Sequence, residues 1–332
     1  MKKLLALLLS LVMVLALFAG CSSSEGEGGG ESGLTLALVV AGNFGDRSFY
    51  DSSNEGATRL ENEGVTVKRI ECGNEKHTEQ IYNAADVANV VVLVGWEFYD
   101  VEAVATEYPD VRFIWIDNAT SAPVANVLNI TYAQNEGSFL AGYVAAKMSE
   151  SGVIGAVGGE DSATINDFIV GYEQGAKYAN PDIQVERQYA NTYDDPAVGK
   201  ECALTLNEKG ADVIFQIASK TGDGVFEAAQ DAGFYAIGVD SDQKYIADDV
   251  IICSMCKQVG ASIYDAVMQY KAKGDDCGLF GTTWVADMAT GYVGLAYGED
   301  GSTQQIPDDL KAEVEDLKAK IIAGEITVDT TR

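Results

Sequence analysis

The sequence predicts an α/β chain of two similar lobes, each built on a mostly parallel sheet. Three observations carry that expectation. From residue 34 onward, short β-branched runs alternate with amphipathic stretches, the pattern of strand–helix–strand units. The runs fall into two series of five. One of them, Val90-Val91-Val92-Leu93-Val94, is apolar without alternation, as suits a strand buried on both faces.

The first series of strands is expected at Leu34–Val40, Val65–Glu71, Val90–Val94, Arg112–Asp117 and Asn126–Thr131, with helical windows at Ser53–Gly64 and Glu79–Ala88. A helix over Glu136–Ser149 opens the second series. Its strands are expected at Val153–Gly158, Ile183–Ala190, Asp212–Ile217, Ala236–Asp240 and Val250–Cys256. Helices over Asp167–Tyr178, Pro196–Lys209, Gly224–Ala232 and Ala261–Lys273 fall between and after them. Gly64 and Gly152 stop the first helix of each series in the manner of a C-cap. Gly210-Ala-Asp-Val-Ile-Phe215 holds the place in the second series that Ala88-Asn-Val-Val-Val-Leu93 holds in the first. Two apolar runs, Trp284–Ala289 and Tyr292–Tyr297, and an amphipathic helix over Asp308–Ala323 complete the chain. No Pro/Ser-rich linker separates the series, so several short crossings are expected to join the lobes. Residues 34–132 with 258–276 are assigned to one lobe and 133–257 to the other, with 277–332 packing near the hinge between them.

The N-terminus reads as a leader. Met1-Lys2-Lys3 is a positive start, Leu4–Phe18 an apolar run, and Leu17-Phe18-Ala19-Gly20-Cys21 resembles a bacterial lipobox. As a helix the apolar run spans roughly 22 Å, short of the ~30 Å hydrocarbon core. Residues 1–20 are therefore expected to be a lipoprotein signal peptide, with Cys21 the lipidated residue. Ser22–Gly33 has no apolar side chain and reads as a flexible tether.

Charge and composition narrow the function. Across 332 residues, 51 acidic side chains against 22 basic ones give a net charge of −29, which repels nucleic acid and anionic lipid head groups. Five cysteines follow the leader: Cys72, Cys202, Cys253, Cys256 and Cys277. Cys253 and Cys256 share a predicted strand, where i and i+3 lie roughly 10 Å apart, beyond the ~7 Å a disulfide allows. They read as small buried hydrophobes, with a bridge from Cys277 left open. His77 is the only histidine, which leaves mixed Cys/His metal sites little to draw on.

Ligands of open α/β sheets sit outside the carboxyl ends of the strands. There the sequence gathers Gly42-Asn43-Phe44-Gly45-Asp46-Arg47-Ser48-Phe49-Tyr50 after the first strand and Asp117-Asn118 after the fourth. Gly158-Gly159-Glu160-Asp161-Ser162 leads from the sixth towards Phe168, and Ser219-Lys220-Thr221-Gly222-Asp223-Gly224 follows the eighth. The ninth ends in Asp240 and the tenth at Lys257. Carboxylates and aromatics converging from both lobes suit a neutral polar ligand with a ring, clamped between aromatic faces. Enzyme signatures are lacking: Gly152-x-x-Gly155-x-x-Gly158 has the wrong spacing for a dinucleotide loop, and neither a phosphate-binding loop nor a nucleophile elbow is present.

Seven segments in order carry a family resemblance. They are Gly45-Asp46-Arg47-Ser48-Phe49, Phe113-Ile-Trp-Ile-Asp117, Glu136-Gly-Ser-Phe-Leu-Ala-Gly142, Gly155-Ala-Val-Gly-Gly159, Gly210-Ala-Asp-Val-Ile-Phe215, Gly238-Val-Asp-Ser-Asp-Gln243 and Ser254-Met-Cys-Lys257. Together they resemble the basic membrane protein (BMP) family of ABC-transporter substrate-binding lipoproteins, which includes purine nucleoside receptors of the PnrA type. The resemblance covers residues 34–327. It implies a type I periplasmic-binding-protein fold, two Rossmann-like lobes joined by crossover strands with a hinge, and no cofactor or metal. It also implies permease and ATPase subunits as partners; a receptor for a flavin or a sugar, or an extracellular sensor subunit with no transport role, would share these sequence features. By the same resemblance, Phe49 and Phe168 would sandwich a purine from opposite lobes and Asp117 would contact the base edge. Asp240 would take the ribose hydroxyls, and Lys257 would hydrogen-bond the sugar. Gly222 and Gly224 would let backbone approach the ligand, and Asp46 is counted with the ligand-binding residues of the first loop. Many members have Asn after the first-loop Phe. This chain has Tyr50, a larger group that would alter hydrogen bonding near the ring.

Overall fold

The computed structural model describes residues 33–73 and 76–331; the expected signal peptide, Cys21 and all but the last residue of the tether lie outside them. Two six-stranded sheets form the frame. The first series gives β1 (Thr35–Val40), β2 (Thr66–Glu71), β3 (Val90–Val94), β4 (Arg112–Ile116) and β5 (Val127–Tyr132). The second gives β6 (Val153–Gly158), β7 (Gln184–Tyr189), β8 (Val213–Ile217), β9 (Tyr235–Asp240) and β10 (Ile251–Lys257). With β11 (Thr282–Ala286) and β12 (Val293–Ala296) at their edges, the sheets run β11-β5-β4-β3-β1-β2 in one lobe and β12-β10-β9-β8-β6-β7 in the other. The five series strands thus run in the same spatial order twice, and each sheet has its switch point beside its first strand, at β1/β3 and β6/β8.

Alternation along each central strand divides its side chains between two helix layers. Leu36, Leu38 and Val40 of β1 face the layer of α1 (Phe49–Asn62) and α8 (Val259–Lys273). Ala37 and Val39 face α2 (His77–Ala85) and α3 (Val101–Glu107). In the second lobe, α4 (Gln134–Met148) and α5 (Ala163–Ala179) cover one face. The other is covered by α6 (Pro196–Glu208) and α7 (Asp223–Ala232). α4 and α5 meet closely because Gly142, Gly171 and Gly175 each face a backbone carbonyl of the partner helix, where a Cβ would collide.

The C-terminal segment, expected to pack near the hinge, adds one strand to each sheet. β11 (Thr282–Ala286) pairs parallel with β5 at the edge of the first sheet, and β12 (Val293–Ala296) pairs antiparallel with β10 at the edge of the second. The helix α9 (Asp308–Ile322) buries Leu310, Val314, Leu317 and Ile321, and its Glu313 bonds Tyr143 and Lys147 of α4. The chain passes between the sheets three times: from β5 to α4, from β10 to α8, and from β11 to β12. Among the described residues, no helix is long and apolar enough to cross a membrane.

Candidate functional site

A cavity is lined by both lobes. Phe49 and Tyr50 of α1, Trp96 and Glu97 after β3, and Asp117 after β4 come from the first lobe. Phe168 of α5, Tyr193 before α6, Asp240 ending β9 and Lys257 ending β10 come from the second. The chain turns sharply where it delivers these groups. Among the described residues, six non-glycine residues have positive φ, and Arg47, Asp117, Ser219 and Asp240 are four of them. Each such residue costs on the order of 1–2 kcal/mol, and clustered outliers of this kind mark binding sites.

Lys257 organises one end. Buried to 2% exposure, it pairs with Asp117, and its ammonium lies 4.8 Å from the Phe49 ring centroid, 5.0 Å from Tyr132 and 5.5 Å from Phe168. The two phenylalanines predicted to act together are therefore within reach of one charge, although they come from different lobes. Asp240 accepts a hydrogen bond from Ser48 Oγ at 2.5 Å, and burial pushes its carboxyl up to about 6 against the pull of Lys257. Asp117 Oδ1 has no protein partner.

At the other end stands a group that the sequence reading passed over. Glu97 Oε2 is buried without a partner, and burial, with Glu160 and Asp117 nearby, pushes its carboxyl up to about 7. Beside it the Tyr193 phenol is raised by burial, then by Glu160 and Glu97. Gly95, at φ +131°, and Gly159 make the room: a Cβ on the first would collide with the Glu97 carboxylate, and one on the second with the Tyr193 ring. Gly95-Trp96-Glu97 follows the carboxyl end of β3, one side of the switch point, and that position was the available signal. Outward, the cleft continues into a wider chamber sharing Tyr50, Trp96, Glu97 and Tyr193 and reaching His77, Glu160 and Lys220.

Three predicted ligand residues sit elsewhere. Asp46 lines the outer chamber and not the inner cavity. Its carboxylate already accepts from the backbone N–H groups of Ser48, Tyr50 and Asp51 and from Ser219 Oγ, so it organises the loop. Gly222 and Gly224 are packing residues: their α-carbons abut the Gln216 side chain and the Pro196 carbonyl, where a Cβ would collide.

The 46–48 loop also ties the lobes together. Ser219 Oγ donates to Asp46 at 2.8 Å, and Gln243 Nε2 donates to the Arg47 carbonyl at 2.9 Å. With Ser48–Asp240, Lys257–Asp117 and an Arg47–Asp223 ion pair at 3.5 Å, these contacts hold the lobes closed. The five cysteines from Cys72 to Cys277 are free thiols, Cys253 and Cys256 being buried in β10 as expected. His77 contacts the Ala41 carbonyl and packs edge-on against Phe98. Among the described residues, no group of three His, Cys, Asp or Glu side chains could hold a metal ion.

Comparison with known proteins agrees with this architecture. Residues 34–332 match the family model described as ABC transporter substrate-binding protein PnrA-like. Basic membrane protein A2 of Borrelia garinii subsp. bavariensis is 34% identical over 333 residues, covering 97% of this chain and 95% of that protein. Basic membrane protein A of Borreliella burgdorferi is 32% identical over 336 residues, covering 98% and 96%. Among solved structures, an ABC transporter system solute-binding protein from Aeropyrum pernix K1 is similar at TM-score 0.79 and 27% identity, covering 90% of this chain and 94% of that one. One from Conexibacter woesei is similar at TM-score 0.73 and 26% identity, covering 90% and 99%. Family and neighbours are substrate-binding proteins, not enzymes. The chain belongs to the PnrA-like family of ABC-transporter substrate-binding proteins and has that family's two-lobed α/β fold.

Proposed function

We propose that this substrate-binding protein takes a neutral purine nucleoside into the cleft, closes over it, and presents the closed form to the permease of an ABC importer. The observation that carries the reading is the surrounding of Lys257. Its ammonium is flanked by the rings of Phe49 and Phe168 and paired with Asp117, while Asp240 feels its charge in the same cavity. Flat apolar walls beside a carboxylate–ammonium cluster match a molecule that is planar at one end and hydroxylated at the other. Asp117, Asp240 and Glu97 against one lysine disfavour a phosphate, so a nucleoside fits and a nucleotide does not.

Asp240 is the group assigned to the ribose diol. Charge-assisted bonds contribute about 1.5–3 kcal/mol each, so losing two weakens binding by about a hundredfold or more. Calorimetric titration of wild type and Asp240→Ala with a purine ribonucleoside and its 2′,3′-dideoxy analogue checks this. The ribonucleoside should lose about a hundredfold and the analogue much less. Equal losses would remove Asp240 from the sugar, and no wild-type binding of any purine nucleoside would sink the ligand.

As an ABC substrate-binding protein the chain works outside the cytoplasm, and we assign its tether to Cys21. Wild type should partition into the detergent phase of an extraction, and Cys21→Ala into the aqueous phase. Equal partitioning would refute the anchor.

A further inference from the structure

We propose that Glu97 is the specificity-determining residue at the ring end of the cavity and selects a base whose edge offers paired N–H donors, a 6-oxopurine of the guanine type, over one offering a ring-nitrogen acceptor. The inference rests on the nucleoside reading and adds the part of the ligand that reading leaves open.

The geometry that carries it is specific. Glu97 follows β3 at the switch point and lines the same cavity as Phe49, Phe168 and Lys257. Glu97 and Tyr193 also line the outer chamber, whereas Asp117, Asp240 and Lys257 line the inner cavity alone. The inner end, with Asp240 and Lys257, is the one matched to hydroxyls. A base stacked along Phe49 and Phe168 then directs its edge towards Glu97 and Tyr193.

Glu97 Oε2 is an acceptor without a donor. A buried acceptor left so costs stability, and a ligand N–H that satisfies it recovers that cost as affinity. A carboxylate accepts two parallel N–H groups from one planar partner, which guanine offers at N1 and its exocyclic amine, inosine at N1 alone, and adenine only at its amine beside an acceptor nitrogen. Gly95 is what lets the carboxylate fold into this place, because any side chain there would occupy the same space.

Protonation gives a second, independent readout. The raised carboxyl must be ionised to accept both N–H groups, so guanosine affinity should rise as pH increases through about 7 and level off above it. The groups facing Glu97 are the carboxyls of Asp117 and Glu160, the phenols of Tyr50, Tyr99 and Tyr193, and the Cys72 thiol. Burial raises the thiol to about 12 and raises the three phenols above their ordinary range, so the thiol and the phenols stay neutral near 7. Asp240, at about 6, is the other cavity group changing nearby, and a Glu97 variant retains it.

The experiment is calorimetric titration of guanosine, inosine and adenosine into wild type and Glu97→Gln between pH 6 and 8. Wild type at pH 8 should rank guanosine over inosine over adenosine. Glu97→Gln should lose at least tenfold for guanosine while holding or gaining for adenosine, since an amide offers one donor and one acceptor. The rise through pH 7 should vanish in the variant. Equal changes for all three nucleosides, or an unchanged pH profile, would overturn the role of Glu97 while leaving nucleoside binding intact. Failure of wild type to bind any of them would overturn the ligand reading and this inference together.

Discussion

Lys257 shows how one residue balances a site. It is buried at the end of β10, paired with Asp117 and close enough to Asp240 to hold that carboxyl below where burial alone would put it. Removing one partner of a buried pair leaves the other charge uncompensated and typically costs 3–5 kcal/mol. Lys257→Met should therefore lower unfolding stability by about that much. The double variant Lys257→Met/Asp117→Asn should regain a good part of it, because the orphaned charge goes too. Denaturant unfolding of the three proteins measures this, and strictly additive losses would mean that the pair is not coupled. Lys257, Asp117 and Asp240 were legible in the sequence because each ends a strand with a polar residue after an apolar run. Glu97 follows β3 in the same way, yet only its convergence with Tyr193 and Gly95 distinguishes it from the many carboxylates of so acidic a chain.

At the scale of elements, the loop and helix after β1 show why Asp46 organises its loop and lines the outer chamber, not the inner cavity. The sequence places the start of the first helix at Ser53, but α1 begins at Phe49. Ser48 stands at the N-cap, where a serine hydroxyl ordinarily accepts a first-turn N–H. Here that hydroxyl donates across the cleft to Asp240, and Asp46 accepts the N–H groups of Tyr50 and Asp51 in its place. A carboxylate in a glycine-rich loop before an aromatic reads equally well as a ligand contact or a cap. The choice depends on where Ser48 points, which no local pattern encodes. α3, only seven residues long, escaped for a simpler reason: it is too short to establish a helical period. The ten strands of the two series were legible to within about a residue at each end, since alternation and β-branching mark them directly, whereas β11 starts two residues before the apolar run that signals it.

For the whole molecule, the bonds of the 46–48 loop make the closed form a state with its own energy. Gln243 lies outside the inner cavity and donates to the Arg47 carbonyl, while its own oxygen accepts from Val239 N and Gln216. Gln243→Glu keeps the acceptor and removes the donor that spans the lobes. A hydrogen bond of this kind contributes about 0.5–1.5 kcal/mol, so the closed population and the apparent affinity should fall roughly three- to tenfold. The loss should be the same for a ribonucleoside and its dideoxy analogue, because closure is common to both. X-ray scattering of wild type should show a smaller radius of gyration on saturation, with the variant needing more ligand to reach it. A ligand-dependent loss in the variant, or no contraction of wild type, would count against a hinged clamp.

The sequence alone determined the alternating α/β plan, its duplication, the strand ends that carry Asp117, Asp240 and Lys257, and the ordered motifs of the family. These are local properties, written in periodicity and in the residues that end apolar runs. Only the tertiary structure decided that residues 282–296 divide between the two sheets, that Asp46 caps and ties while Gly222 and Gly224 pack, and that Glu97 meets Tyr193 over the cleft. Each of these depends on which strands become neighbours and how two lobes close. β1 lies beside β3, and the loop after β1 meets the ends of β8 and β9 in the other sheet. Such adjacency arises from long-range packing and leaves no period in the chain.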